Sequence, residues 1–128
     1  MLAAVAAGGQ PPASASLPNA LRAHLNSERF EIVTSIRGLP LGVRDALQEL
    51  FGTASLDIAE PGTPFQATEV VSDRALPARR LIAAGCSRDR CLVYYERGGI
   101  TVSFHVALFH WTPAATRFEW GGSAPGDL

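Results

Sequence analysis

The chain has 128 residues, with twelve acidic side chains against eleven arginines, no lysine and a formal net charge of −1. So even a balance argues against a nucleic-acid binder that relies on bulk charge. A chain of this length suits one domain, and no stretch approaches the ~18 consecutive apolar residues of a membrane-spanning helix.

Residues Met1 to Ala15 are alanine-rich and uncharged. Leu2 to Ala7 resembles the end of a signal-peptide apolar core, and Ala13-Ser14-Ala15 fits an Ala-x-Ala cleavage signature, although the positively charged start is missing. The expected organisation is a leader or export-signal remnant over 1–15, a single domain over 16–120 and a frayed tail over 121–128.

Two helices are predicted next. Pro18 stands near a first helical position, Leu17, Leu21 and Leu25 recur four apart on one face, and Asn26-Ser27 ends the pattern. Phe30 to Ile36 alternates like a strand, with Phe30, Ile32, Thr34 and Ile36 on one side. Leu39-Pro40 repeats the helix-start signal. Val43, Leu47, Leu50 and Phe51 then form an apolar stripe closed by Gly52 at a natural C′ position. Both helices are expected to lie as lids over one face of a sheet.

From Thr53 to Leu76 periodicity weakens. Ser55 to Ile58 and Phe65 to Val71 are candidate short strands around a turn set by Pro61-Gly62, and Asp57, Glu60, Glu69 and Asp73 gather acidic charge in this span.

The strongest signal is a three-stranded antiparallel meander from Arg79 to Trp111. Ile100, Val102, Phe104, Val106 and Leu108 alternate with smaller or polar residues. Gly98-Gly99 suits a two-residue type I′ hairpin loop, which would set Arg97 opposite Ile100, Tyr95 opposite Val102, Val93 opposite Phe104 and Cys91 opposite Val106. A longer, bulged loop would swap the faces. A four-residue turn at Ser87 to Arg90 sets Cys86 opposite Cys91, with Ala84 facing Val93 and Ile82 facing Tyr95. The only two cysteines thus meet at disulfide distance, and the bridge would stabilise the fold by about 2 kcal/mol on the chain-entropy model. Beyond Thr112-Pro113, a strand from Thr116 to Trp120 would bring Phe118 and Trp120 to Phe109 and Ala107, on the other face unless a bulge intervenes.

The expected fold is therefore α+β: two N-terminal helices packed on an antiparallel sheet of four to six strands, with a C-terminal meander. No repeat, glycine-rich nucleotide loop, phosphate loop, metal-spaced Cys/His cluster or Gly-x-Ser-x-Gly elbow is present.

Three constellations bear on function. Arg79, Arg80 and Arg97 form a candidate ligand-binding group, with Arg80 expected opposite Arg97. Like charges directly opposite are destabilising unless an anion or carboxylate lies between them, and that group is either an anionic ligand or Glu60, Glu69 or Asp73. Ser103 and His105 share a polar face with Glu96, but a spacing of about 7 Å between alternate residues on a strand argues against a nucleophile and its base. His24, His105, His110 and Glu119 lack metal-ligand spacing, so no metal or cofactor is expected.

The runs Leu76-Pro77-Ala78-Arg79-Arg80-Leu81 and Tyr95-Glu96-Arg97-Gly98-Gly99 resemble small exported bacterial proteins of unassigned function. That resemblance covers the C-terminal half and implies no activity, substrate or catalytic residue. Together with the cysteine pair it points to an exported protein, periplasmic or extracellular. The function expected is a non-catalytic binding or accessory module for a protein or an anionic small ligand. The alternatives are a hydrolase-like enzyme using Glu96, His105 or an acidic loop residue, and a structural subunit pairing through a sheet edge or through Trp111, Phe118 and Trp120.

Overall fold

The structure is a computed structural model that describes residues 17–68 and 75–123. The expected leader over 1–15, together with Glu69 and Asp73, lies outside the described residues. Helix α1 (Asn19–Asn26) is followed by strand β1 (Glu31–Val33), a 3-10 turn (Ile36–Gly38) and helix α2 (Leu41–Phe51). Four strands complete the chain: β2 (Arg79–Cys86), β3 (Arg90–Arg97), β4 (Ser103–Trp111) and β5 (Thr116–Ser123).

Both helices start where proline punctuates the sequence. The Pro18 carbonyl accepts from Arg22 N at 2.8 Å, and the Pro40 carbonyl accepts from Val43 N and Arg44 N at 3.0 and 3.1 Å. Proline lacks an N–H that would otherwise need a partner at a helix start, which is why it fits there. Helix α2 ends at Gly52, whose φ of +69° is left-handed and whose N–H reaches the Gln48 carbonyl at 3.0 Å. The turn after β1 is held from a distance. Glu60 accepts from the Ser35 hydroxyl at 2.8 Å and from Ile36 N at 2.9 Å.

The five strands form one antiparallel sheet in the order β1-β2-β3-β4-β5. The class is thus α+β, and five strands fall within the expected four to six. Val43 and Leu47 of α2 are fully buried and cluster with Leu81, Val93, Tyr95, Ala107 and Phe109. Alternation puts Cys91, Val93 and Tyr95 on that face of β3 and Leu92, Tyr94 and Glu96 on the other. The expectation of two lids on one face is corrected: α1 has no buried residue. Its Leu25, with Leu17 and Phe30, instead borders an open apolar groove that also touches Leu92, Tyr94 and Val106 of the opposite face.

The expected registers divide. Cys86 pairs with Cys91 and Ala84 with Val93, and the two sulfurs are bonded, as the four-residue turn required. Beyond them the ladder slips between Leu81 and Ala83, so Ile82 is an extra residue and Leu81, not Ile82, faces Tyr95. This bulge moves Arg79 opposite Arg97 and Arg80 opposite Glu96, which corrects the expected Arg80–Arg97 pair.

The β3–β4 register is also corrected. Tyr95 faces His105, Val93 faces Ala107 and Cys91 faces Phe109, across a loop running from Gly98 to Val102. The inward side of β4 is therefore His105, Ala107 and Phe109, and Ile100 is 84% exposed. Neither Gly98 nor Gly99 has a positive φ, so no type I′ turn forms. Gly98 is needed for another reason: a Cβ there would overlap the Gln66 carbonyl, because the 66–68 segment lies directly against the hairpin and Thr68 bridges Gly99.

At the C-terminal side Phe118 meets Phe109 edge-on at 5.9 Å, as expected. A register shift then puts Trp120 opposite Leu108 rather than Ala107. Gly121–Ser123 continue β5, with Gly121 and Gly122 buried, so no tail begins at 121.

Candidate functional site

The sheet's core face runs out of apolar side chains at the end away from the cystine. There one cross-strand row holds Arg79, Arg97 and Ser103, and the next holds Leu81, Tyr95 and His105. Two guanidinium groups therefore occupy neighbouring positions on the face that is otherwise the hydrophobic core.

Arg79 is built in from several directions. It is 9% exposed, its Nη1 lies 3.2 Å from Asp57 Oδ2, and its guanidinium stacks at 3.9 Å over the Phe51 ring at the end of α2. Asp57 is itself oriented by Ala78 N, which donates to Oδ1 at 3.1 Å. Burial, and then the neighbouring charge of Arg97, pull the Arg79 pKa below its ordinary value. Arg97 differs in kind, being exposed and, among the described residues, without a carboxylate partner.

Arg80 does not belong to this group. It projects from the opposite face, where Nε pairs with Glu96 Oε2 at 2.7 Å, Nη1 donates to the Thr63 carbonyl at 3.1 Å, and the guanidinium covers Phe65 at 4.4 Å. Those contacts fasten the 63–65 segment to the sheet and leave the side chain committed to structure. Of the acidic residues expected to neutralise the arginines, Glu60 serves the 3-10 turn instead, and Asp57 takes its place.

Ser103 and His105 meet despite the strand spacing that argues against it. Ser103 Oγ lies 2.8 Å from His105 Nε2. Backbone separation along a strand does not measure the distance between side-chain tips, and an imidazole long enough to lean along the strand reaches its i−2 neighbour. The ring stacks on Tyr95 with centroids 5.3 Å apart and planes 22° from parallel. Burial first, then Arg97 and Arg79, lower the His105 pKa, so the neutral ring is favoured. Its Nδ1 is buried and has no hydrogen-bond partner among the described residues.

Arg79, Arg97 and Asp57 leave one net positive charge. Ser103 Oγ and His105 Nε2 share a hydrogen bond, and among the described residues no carboxylate meets Nδ1 to orient the ring as a general base requires. Glu96, the other residue considered for hydrolysis, is on the far face in its pair with Arg80 and cannot act with His105. The aromatic residues considered for a pairing surface are also split between faces, Phe118 against Phe109 and Trp120 against Leu108.

The alternation that would have found Ser103 and His105 was visible in the sequence, but it points to the arginines only once the β3–β4 loop has five residues. No protein-family model, curated protein or solved structure matches the chain.

Proposed function

We propose that the protein is a small non-catalytic binding module that takes an anionic ligand of the carboxylate class at Arg97, backed by Arg79, His105 and Ser103. The observation that carries this reading is the Arg79–Arg97 cross-strand pair, whose two charges have among the described residues one carboxylate partner, Asp57, and that one on Arg79 alone. Like charges directly opposite on a sheet are destabilising, and a guanidinium fork is the natural donor to a planar carboxylate. The exposed Arg97 is the group that would meet the ligand first.

An exported setting belongs to the same reading. The Cys86–Cys91 bond is of the kind an oxidising compartment sustains. Among the described residues no helix is long and apolar enough to cross a membrane.

A thermal-shift series with small carboxylates and sugar acids tests the proposal. The expected result is a rise in Tm for the wild type that Arg97→Ala abolishes, whereas Arg80→Ala, although less stable, keeps the shift. Equal shifts in wild type and Arg97→Ala would remove the site from consideration. The 2.8 Å Ser103–His105 contact favours a second reading, ester hydrolysis. Turnover of an activated ester by the wild type, lost in Ser103→Ala, would select it.

A further inference from the structure

A second polar cluster lies at the cystine end of the sheet, separate from the arginine row. His24 belongs to the last turn of α1, and Glu28 follows four residues later on the same face. Glu28 N still donates to the Leu25 carbonyl at 3.2 Å, so the helical spacing continues past the formal end of the helix. Asp89 comes from the β2–β3 turn, which the Cys86–Cys91 bond closes. One ligand atom from each of His24, Glu28 and Asp89 lies within 4.8 Å of the other two. They line one open depression between α1 and the hairpin, together with Ser87 and the exposed Arg29 and Arg88.

The charge around this depression is uneven. Among the described residues Arg90 is the guanidinium that contacts these carboxylates, and it is already committed. Its Nε and Nη2 donate to the two oxygens of Glu119 at 2.8 and 3.1 Å, a bidentate pair. Glu28 and Asp89 see only its remaining Nη1, at 3.6 and 3.4 Å. With Arg90 balanced by Glu119, two carboxylates face each other across the depression beside an imidazole. The carbonyl end of α1 adds further negative potential at the same place.

We propose that His24, Glu28 and Asp89 are the protein ligands of a divalent metal site of the zinc class. One imidazole and two carboxylates make a three-ligand set that leaves a fourth tetrahedral position for water. Ligand atoms on such an ion stand about 3.4 Å apart, which side-chain rotation supplies from the present spacing. The surroundings suit it: the Ser87 hydroxyl hydrogen-bonds Glu28 and so orients it, and His110 Nε2 stands 3.8 Å from Asp89 Oδ2. Bound metal would cross-link α1, which buries no residue, to the disulfide-closed hairpin.

The simpler account of the same contacts is an ion-pair network without metal, and the experiment separates the two. Chelator-treated full-length protein is titrated with zinc chloride by calorimetry in a buffer free of carboxylates and phosphate. Cobalt(II) absorption reports the ligand field in parallel. The site predicts one zinc per chain and a visible cobalt band, with affinity reduced at least about tenfold in His24→Ala and in Asp89→Asn. His24 is exposed, so its removal leaves the fold intact and keeps the comparison meaningful. Absence of saturable binding, or zinc held equally well by His24→Ala, would overturn the proposal and leave the ion-pair network.

Discussion

His105 is the residue whose surroundings make the sharpest claim. Its pKa is depressed by burial and by two guanidinium groups, while in the unfolded chain it titrates near the ordinary histidine value of 6.5. Below about that pH the unfolded state binds more protons than the folded state, so stability falls as pH is lowered. The contribution is fully present above the unfolded value and is lost as pH drops through the folded one. Urea denaturation at pH 7 and pH 5 should show a smaller loss for His105→Gln than for the wild type. An unchanged pH slope would mean that the ring is not held neutral beside Arg79 and Arg97. A bound carboxylate opposes the guanidinium field and raises the His105 pKa, so ligand affinity should increase as pH falls from 7.5 toward 6.

At the level of elements, the β3–β4 hairpin depends on a neighbour that is remote in sequence. Gly98 N donates to the Ala78 carbonyl at 3.0 Å, and Gln66 N donates to the Pro77 carbonyl at 2.8 Å, so the 66–68 segment and the start of β2 converge on the hairpin base. A methyl group at Gly98 has no room against the Gln66 carbonyl, whereas one at Gly99 finds only ordinary contact with the Thr101 carbonyl at 3.6 Å. Gly98→Ala should therefore lower stability by roughly 2 kcal/mol and Gly99→Ala by less than about 1 kcal/mol, read from urea midpoints at constant m-value. Equal costs would return the pair to a simple turn. The cystine hairpin contrasts with this one. Its register follows from its own four turn residues and its own two sulfurs, with no outside contact required.

For the whole molecule, the decisive packing is α2 against the β4–β5 side of the sheet, with Val43 and Leu47 in the common core. Leu47 is completely buried and belongs to the apolar cluster that residues of β2, β3 and β4 share, so Leu47→Ala opens a cavity in the common core. The expected cost is about 3 kcal/mol, with loss of cooperative unfolding if the cavity fails to collapse. A cost under about 1 kcal/mol would mean that α2 is not the lid that closes the core. The same helix supports the candidate anion site, because Phe51 at its end is the platform for Arg79. Core and site are thus one construction. Arg79 stands where the apolar face ends, and Asp57 with Phe51 makes its burial tolerable.

Proline, glycine and short-range periodicity determined the helices. Pro18, Pro40 and Gly52 act through backbone geometry that needs no partner, so α1 and α2 fall where the sequence places them. The Cys86–Cys91 pairing was legible for the same reason, since a four-residue turn fixes which side chains face each other. The face of β4 was not legible. Val106 and Leu108 are buried on one side and Ala107 and Phe109 on the other, so alternation carried no sign of which side points to the core. Only the tertiary structure decided that, through the 66–68 segment that occupies the base of the hairpin and the extra residue Ile82 that shifts β2. Those two long-range effects also decided the candidate site. They moved Arg80 to the opposite face, brought Arg79 beside Arg97, and placed Ser103 and His105 in the adjoining positions, none of which local backbone preference could specify.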